Sequence, residues 1–448
     1  MELIGAKPDR KVIIYFILAI IVGTLLLSLP VSSRNHPVTF IDALFTATSA
    51  VCVTGLTVLD TGRDFTLFGQ IVILALIQLG GLGIMTFTTV LLISMVPRLP
   101  FQDRFVLSQT LGGGPRLKTS SLLKAVVLTT LSFELLGAMA LFVGFQSEFP
   151  LGRAVYYSIF HTVSAFCNAG FSTFSNSLEN YGDEPYMLTV FAVLIISGGL
   201  GFIVVRETML RLGSKKNRLS LHSKLCLSVT AVLLVIGTLA YLAAEYENVF
   251  EHMGTGRSLV SAFFQAVTSR TAGFNAVPQR NLTEVSLLVT IILMFIGACP
   301  GSTAGGIKTT TLGIIVLMAY NRFLGRRSVK AFRRSISTDS VQRAVTVMLA
   351  AIAVIVLIFV LLMFAEEKPL PHTLSHGWFV DSLFEVVSAF GTVGLSLGAT
   401  SQFHDFGKSL IVILMFIGRV GLLTLVFNLA RPMQPGEVVY LDEQVMVG

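Results

Sequence analysis

A short stretch that ends on glycine occurs four times along the chain. Each copy begins with Phe-x-x-x-Ser/Thr-Ala/Ser, and the copies end at Gly55, Gly170, Gly273 and Gly394. The third copy is one residue shorter than the other three. Roughly 100 to 120 residues separate successive glycines, and similarity that recurs at a regular interval indicates a repeated structural unit. The chain is therefore expected to fold as four repeats of one kind.

Apolar runs long enough to cross a bilayer flank each of these stretches, since a spanning helix needs about 20 residues. Hydrophobic residues make up 53% of the chain and charged residues 13%, which excludes an ordinary soluble globule. The eight runs lie at 12–30, 69–96, 122–146, 185–210, 223–245, 283–320, 341–365 and 408–430. The pattern predicts an all-α polytopic membrane protein. Its four repeats of span, re-entrant pore helix and span give eight transmembrane helices around one central pore with pseudo-fourfold symmetry.

Lysine and arginine are concentrated at one set of run ends, which the positive-inside rule assigns to the cytoplasm. Dense clusters lie at 206–224 and 322–343, whereas the opposite ends carry a sparse set. Both termini are therefore predicted to be cytoplasmic, and the glycine-ended turns to face outside. These loops account for the net charge of +7, so no nucleic-acid partner is predicted. The four cysteines lack metal-ligand spacing and are expected to be free thiols.

The same patterns predict where each part of the chain begins and ends. Repeats are expected at 12–96, 122–212, 221–325 and 341–430. The remaining parts are an N-terminal cytoplasmic tail at 1–11, a cytoplasmic loop at 97–121 and a C-terminal cytoplasmic tail at 431–448.

The sixth apolar run is nearly twice as long as a bilayer requires, but residues 297–311 interrupt it with Gly, Pro, Ser and Thr. Such a segment does not hold an uninterrupted helix. Non-helical backbone at membrane depth is tolerated where it is buried in protein or lines a water-filled cavity. We therefore expect an intramembrane gate loop. A phosphate-cradling loop is the competing interpretation, although no Gly-x-x-x-x-Gly-Lys-Ser/Thr pattern accompanies it. The residues assigned to the gate are Gly297, Pro300, Gly301, Ser302, Thr303, Gly305, Gly306, Lys308 and Arg419.

Three charged residues occupy unusual places in this pattern. Arg419 lies within the eighth run, where a permanent cation is costly. It is expected either to face an aqueous path next to the gate or to form a salt bridge with a carboxylate. Arg270 is expected to brace the third turn from behind. Glu134 lies near the middle of the third run and is either functional or a protonated or paired structural residue.

The four turns carry the residue types of a monovalent-cation filter. Rings of backbone carbonyls can replace the hydration shell of potassium, and glycine adopts the required dihedrals at little cost. The helix preceding each turn directs its partially negative C-terminal end towards the membrane centre, which favours a cation. No residue next to the glycines is acidic, unlike a calcium filter. The predicted potassium-binding residues are Val53, Thr54, Gly55, Asn168, Ala169, Gly170, Thr271, Ala272, Gly273, Thr392, Val393 and Gly394.

Two other classes of function compete with an ion-conducting pore. A proton- or sodium-coupled secondary cation transporter would carry several ionisable residues at mid-membrane. Glu134, Arg270, Lys308 and Arg419 are few and scattered for that role. An intramembrane enzyme would need a nucleophile and a base at membrane depth. The sequence predicts no such pair, and hence no enzyme.

The chain resembles the Trk/Ktr/HKT superfamily of potassium transporters, and within it the KtrB group, the membrane subunits of Ktr potassium-uptake systems. The resemblance rests on the four units, the Thr392-Val393-Gly394 turn, the broken sixth run and the arginine in the eighth. It implies that the four terminal glycines form the filter, that 297–311 is the gate and that Arg419 lies beneath the filter. In this family a serine at the first of these positions accompanies sodium permeation. Gly55 therefore implies potassium.

The resemblance also implies partners and a location. It implies a homodimer with one pore per subunit, embedded in the lipid of a bacterial plasma membrane. A cytoplasmic ring of KtrA-like subunits would bind the regulatory nucleotide, and sodium would act as an activator. The chain itself has neither a Walker motif nor a dinucleotide-binding fingerprint, so no nucleotide is expected to bind to it.

Overall fold

The computed structural model describes residues 8–34, 37–94, 119–214, 218–326, 328–366 and 377–421. Residues 1–7, almost all of the predicted loop 97–121 and the whole predicted tail 431–448 lie outside these ranges. In the described residues the chain is helical apart from turns, loops and one two-stranded hairpin. The hairpin pairs β1, Lys330–Ala331, with β2, Arg334–Ser335.

Each predicted repeat contains a first long helix, a short helix and a further helical segment. The first repeat has α1 at Pro8–Leu27, α2 at Phe40–Val51 and α3 at Leu67–Ser94. The second has α4 at Thr119–Phe145, α5 at Leu151–Phe166, α6 at Pro185–Leu200 and α7 at Phe202–Gly213. The third has α8 at Leu221–Glu245, α9 at Thr255–Thr268, α10 at Glu284–Phe295 and α11 at Thr309–Phe323. The fourth has α12 at Thr338–Ala365, α13 at Trp378–Gly391 and α14 at Asp405–Val420.

The long helices expose apolar side chains instead of burying them. By length and composition, three helical segments within the described ranges can cross a bilayer: Lys124–Phe145 of α4, α8 and α12, and the bent pair α6 and α7 makes a fourth. Leu128 on α4 is 69% exposed, Leu239 on α8 is 60% exposed and Phe364 on α12 is 74% exposed. An apolar surface of this extent would be unfavourable in water and suits lipid. The chain is an all-α polytopic membrane protein.

The short helices α2, α5, α9 and α13 are buried inside the ring of longer ones. Their second halves carry the repeated motif, and its Phe45, Phe160, Phe264 and Phe384 are each fully buried. The N-cap of the first of these helices is Thr39, whose hydroxyl accepts a hydrogen bond from the amide of Asp42. The Asp42 carboxylate also accepts a hydrogen bond from Lys408 Nζ at 2.7 Å, which joins the first repeat to the fourth.

The four repeats pack in a closed cycle. The helix that follows the short helix of one repeat lies against the short helix of the next repeat: α3 on α5, α6 on α9, α10 on α13 and α14 on α2. The contact between α14 and α2 brings the end of the described chain back to its beginning. The short helices therefore surround a common centre, as the predicted pseudo-fourfold symmetry requires.

The predicted run 185–210 is not one straight helix, which corrects the expectation from its length. Helix α6 ends at Leu200, α7 begins at Phe202, and the two axes differ by 107°. The residue between them, Gly201, has φ +81° and ψ 149°, a conformation that residues with a Cβ rarely adopt. Glycine thus permits the sharp turn, which could not be predicted from an uninterrupted apolar run.

Two other runs differ from their predicted bounds. The sixth run stops being helical after Phe295 and resumes at Thr309, so the interruption spans 296–308 instead of 297–311. Its last three predicted residues form the first turn of α11 because Lys308 is the N-cap. Helix α14 ends at Val420, followed by Gly421 with φ +88° and ψ 134°. Residues 422–430 of the eighth predicted run lie outside the described ranges.

Candidate functional site

The four glycine-ended turns follow the same backbone path. In each turn the residue two positions before the glycine has a left-handed φ: 55° at Val53, 59° at Asn168, 70° at Thr271 and 50° at Thr392. The glycines themselves have φ values of 88° at Gly55, 69° at Gly170, 77° at Gly273 and 96° at Gly394. Valine and threonine are β-branched and seldom adopt positive φ, so the surrounding structure must hold them there. Such strain is typical of a functional backbone.

The glycines form a closed ring, each against the backbone of the next repeat. A Cβ added to a glycine would meet the carbonyl oxygen of the residue before the next glycine. The distances would be 2.4 Å from Gly55 to Ala169, 2.9 Å from Gly170 to Ala272, 2.3 Å from Gly273 to Val393 and 2.3 Å from Gly394 to Thr54. No side chain fits in these contacts. The ring therefore needs glycine both for its dihedrals and for its close packing.

The Ser or Thr of the motif holds each turn. Gly55 N donates to Ser49 Oγ at 3.1 Å, and Gly394 N donates to Ser388 Oγ at the same distance. Ser164 Oγ instead donates to the carbonyl of Phe171, at 2.7 Å.

The shorter third turn uses Thr268 in the same way. Its hydroxyl donates to the carbonyl of Phe274 at 2.8 Å. Its own carbonyl accepts from Ala272 N at 3.0 Å and from Gly273 N at 3.4 Å. Both amides thus donate to one carbonyl. The third turn is one residue shorter in the segment before its left-handed residue, Thr271. The turn keeps its place in the ring.

A cavity of about 310 Å³ lies on one side of the ring, and all four glycines line it. Its walls come from the segments that follow the glycines, including Asp60, Ser172, Glu179 and Ser396. Two of these four are carboxylates, which favour cations at the mouth. Burial raises the pKa of the Glu179 carboxyl.

The interruption at 296–308 lies against the ring from another direction. A Cβ added to Gly305 would lie 2.1 Å from Thr392 Oγ1, and one added to Gly306 would lie 3.3 Å from Gly391 Cα. Thr303 Oγ1 donates to the carbonyl of Phe166 at 3.2 Å. The loop therefore touches the chain around the second and fourth turns and lies directly beneath part of the ring.

Other predicted gate residues fix the loop to itself and to its neighbours. Ser302 Oγ donates to the carbonyl of Cys299 at 2.6 Å, and Lys308 Nζ donates to the carbonyls of Ala304 and Gly305 at 2.7 and 3.2 Å. The carbonyl of Gly301 accepts from Phe202 N, the first residue after the sharp bend. Pro300 lies in the same stretch, and its carbonyl faces Gly201.

Two buried arginines hold the loop in place. Arg419 donates to the carbonyl of Thr303 and, at 2.9 Å, to the carbonyl of Gly80 in α3. Within the described part of the chain no carboxylate pairs with Arg419, so the salt-bridge alternative is wrong there. Arg270 Nη2 donates to the carbonyl of Gly297 at 3.3 Å. It braces the start of the loop from the position behind the third turn.

The glycine-rich middles of α3 and α6 pack against the short helices. A Cβ added to Gly80 would lie 2.0 Å from the carbonyl of Val51, and one on Gly198 would lie 1.9 Å from that of Phe166. Gly418 in α14 has the same role, because a Cβ added to it would lie 2.0 Å from the carbonyl of Phe390. These carbonyls end the short helices, so each glycine lets a spanning helix reach the base of a turn.

Glu134, near the middle of the third predicted run, is buried between α4 and α3. Gln78 Nε2 donates to its Oε2 at 3.1 Å, while its Oε1 has no hydrogen-bond partner among the described residues. Gln78 Oε1 in turn faces the thiol of Cys167 at 3.6 Å, next to the second turn. The four cysteines are free, and no group of three metal-ligating side chains occurs in the described ranges.

The sequence pattern did not single out one buried carboxyl group beside the ring. Glu385 in α13 is fully buried and accepts four hydrogen bonds from residues that follow Gly394. A signal was available, because Glu385 directly follows the phenylalanine that opens the fourth copy of the motif. The corresponding residue is different in each copy, which hides its shared role.

Comparison with known proteins gives a consistent result. Residues 6–438 match the sequence model of the TrkH family, described as a cation transport protein. The "Potassium/sodium uptake protein NtpJ" of Enterococcus hirae is 39% identical over 99% of this chain and 97% of its own length. The "Ktr system potassium uptake protein B" of Bacillus subtilis is 38% identical over 98% of this chain and 97% of its own length. The crystal structure of the potassium transporter TrkH from Vibrio parahaemolyticus matches this chain with a TM-score of 0.75 at 19% sequence identity. The match covers 96% of this chain and 86% of that one. At this identity it supports the fold alone.

Proposed function

The chain belongs to the TrkH family of cation transport proteins, and from this premise we propose that it is the potassium-selective, ion-conducting membrane subunit of a bacterial potassium-uptake system. The observation that carries the proposal is the closed ring of four glycine turns. The relative in Enterococcus hirae is named a potassium/sodium uptake protein and the one in Bacillus subtilis a potassium uptake protein, and both names support potassium as a transported ion.

The proposed filter consists of the carbonyl groups at and before the four glycines. A dehydrated cation needs several oxygens around it, and a single repeat supplies only one quarter of them. The closed cycle of repeats supplies the other three, so one chain makes one pore. The cavity of about 310 Å³ above the glycines would hold the hydrated ion before it enters.

The proposed gate is the loop 296–308 with Arg419. The loop contacts the second and fourth turns, and Arg419 ties it to α3. A cation passing the ring would then meet a permanent positive charge and a folded loop, which together raise a barrier. Moving the loop would lower that barrier. A cytoplasmic partner could do this without touching the filter.

We also propose the assembly that this role implies. The chain would form a homodimer in the bacterial plasma membrane, with both termini in the cytoplasm and the glycine ring facing outside. A KtrA-like ring would bind the nucleotide, and sodium would act as an activator. The name of the relative in Bacillus subtilis, as a part of a Ktr system, supports a system with further subunits. Mass measurement of the protein in mild detergent tests the dimer.

The deciding experiment measures potassium and sodium flux into liposomes that contain the full chain. Potassium flux that exceeds sodium flux supports the proposal. Equal fluxes of both ions would contradict the potassium filter. To separate a closed gate from an absent pore, the same measurement is made with the variant Arg419→Gln. Folded protein that conducts in neither form would contradict the pore.

A coupled cation transporter is the second candidate, and the buried Glu134 is the observation that favours it. A carboxylate at membrane depth with one unpartnered oxygen among the described residues can exchange a proton. It is held by Gln78 and lies beside the second turn. In this alternative, uptake would depend on a proton gradient and on that carboxylate.

A further inference from the structure

The residue that follows the phenylalanine of each motif copy occupies the same place in each short helix. These residues are Thr46, His161, Gln265 and Glu385. All four are at least 99% buried. In the second, third and fourth copies, the side chain reaches the segment that follows the glycine of its own repeat. The position therefore connects each short helix to the outer wall of the ring.

In the second repeat the connection is a neutral histidine. His161 Nδ1 lies 2.8 Å from the carbonyl of Tyr157, so Nδ1 must donate. His161 Nε2 then accepts from Ser172 Oγ at 3.0 Å. Ser172 is two residues beyond Gly170 and lines the cavity. Aromatic rings surround the imidazole, with Phe174 stacked at 4.6 Å.

In the third repeat the connection is a pair of amides. Gln265 Nε2 donates to Gln279 Oε1 at 2.8 Å. Gln279 Nε2 in turn donates to the carbonyl of Val277 at 2.9 Å. Both side chains are buried and neutral. The third wall is thus held without a charge.

The fourth repeat uses a carboxylate and holds its wall with more bonds than the others. Glu385 Oε1 accepts from Ser396 Oγ at 2.6 Å, Leu397 N at 2.9 Å and Ala399 N at 3.3 Å. Its Oε2 accepts from Thr400 Oγ1. Two of these donors are backbone amides, which cannot act as acceptors. The arrangement suits the ionised form, whose two oxygens only accept.

Residues 396–400 begin two positions after Gly394, and Ser396 and Gly398 line the cavity above the ring. The carbonyl of Leu397 also accepts from Arg280 Nε, which links this segment to the third repeat. The Glu385 carboxylate therefore fixes the fourth wall of the cavity from inside the protein. It also places a negative charge behind one quarter of the ring, in surroundings that screen it weakly.

We propose that Glu385 is a specificity-determining positioning residue of the ring. Its carboxylate holds 396–400, and through them the Gly394 turn, at the spacing that suits a dehydrated potassium ion, and its charge favours a cation there. This inference rests on the proposed function, because it assumes that the ring binds potassium. It goes beyond that function by assigning unequal roles to the four quarters. The fourth quarter is held by an ionic group, and the second and third are held by neutral ones.

The test measures the thermal unfolding of the detergent-solubilised full chain in potassium chloride and in sodium chloride of equal ionic strength. The parent is expected to unfold at a higher temperature in potassium, because a bound ion stabilises the folded state. Glu385→Gln should remove most of that difference and raise the potassium concentration for half-maximal stabilisation by about tenfold, as loss of hydrogen bonds to a charged group predicts. Asp381→Asn removes a carboxylate one turn earlier on the same helix and should keep the difference.

A purely structural role would lower the unfolding temperature of Glu385→Gln equally in both salts, and that result would overturn the inference. Should this variant not fold, Thr400→Val replaces it, since it removes one donor and keeps the carboxylate. A smaller loss of the potassium preference supports the inference, and an unchanged preference refutes it. A parent with no difference between the salts would overturn this inference. The proposed function would fall with it only if neither the parent nor Arg419→Gln conducts potassium in liposomes.

Discussion

The side chain of Arg419 and the backbone carbonyl of Thr303 are joined by a hydrogen bond across 116 residues of sequence. The same guanidinium donates to Gly80 in α3, so one buried cation connects the fourth repeat, the loop of the third and a spanning helix of the first. Arginine stays protonated in a protein interior, and these bonds persist as long as the loop stays in place. The position of the loop depends on this contact.

Replacing Arg419 by glutamine should therefore raise cation flux through the parent pore. Glutamine is shorter and uncharged, so it loses both a barrier to cations and the bonds that hold the loop. Hydrogen bonds from a charged group contribute about 1.5–3 kcal/mol, which corresponds to at least about a tenfold shift towards the open loop. Flux into liposomes without any partner is the measurement. Arg343→Gln, which removes an exposed arginine paired with Asp339, is the control and should conduct like the parent.

Replacing Gly55 by serine should degrade selectivity for potassium over sodium. The added Cβ would lie 2.4 Å from the carbonyl of Ala169, and the backbone has φ +88°. The first quarter must move away from the second, which widens or tilts the ring. Competition between the two ions in a liposome flux assay measures the ratio. Gly152→Ser is the control because a Cβ on Gly152 meets nothing within 4 Å. Selectivity that stays at the parent value in Gly55→Ser would remove Gly55 from the filter.

Replacing Gly201 by alanine should destabilise the protein and disturb the loop. The bend needs φ +81°, and the added Cβ would lie 2.8 Å from the carbonyl of Pro300. Backbone strain of this kind costs about 1–3 kcal/mol. The unfolding temperature in detergent is expected to fall, with increased cation flux because Gly301 loses its contact with Phe202. Gly256→Ala, on the exposed start of α9, should instead leave stability equal or slightly higher. Equal stability of both variants would show that the bend is not required.

Replacing Glu134 by glutamine distinguishes the conducting pore from the coupled transporter. In a pore the carboxylate is structural, and glutamine keeps its size and a hydrogen bond to Gln78, so potassium flux should change by less than about threefold, equivalent to under 1 kcal/mol. In a proton-coupled carrier the same change would abolish uptake and its dependence on a proton gradient. Flux measured with and without an imposed pH difference decides between them. Gln78→Leu serves as a second variant that removes the partner and keeps the carboxylate.

The sequence predicted the parts of the site that depend on local residue type. These parts are glycine at four equivalent positions, Ser or Thr at the start of each turn, and a Gly- and Pro-rich interruption. In each of them the residue type alone indicates the local backbone structure. The structure brings the four glycines together as the repeat implied. The packing role of Gly80 was also predictable, because glycine in a spanning helix commonly marks close backbone contact.

Other features depend on partners that lie far apart in the sequence. Arg419 was expected to face water or a carboxylate, but its two terminal nitrogens donate to the carbonyls of Thr303 and Gly80. The bend at Gly201 depends on a backbone dihedral that Ser-Gly-Gly-Leu-Gly does not specify by itself, since Gly80-Gly-Leu-Gly83 continues as one helix in α3. Glu385 could not be identified from the sequence, because the four residues that follow the motif phenylalanines share a location in the fold but differ in chemical type.

The order in which the ring closes has a consequence for biosynthesis. The glycine of the fourth repeat contacts the carbonyl of Thr54 in the first, so the last quarter to be translated completes the contact with the earliest one. A chain whose synthesis stops after three repeats has a gap on one side of the centre and, under the proposed function, only three quarters of the oxygens that surround an ion. The ring can therefore close only once the fourth repeat has packed against the first.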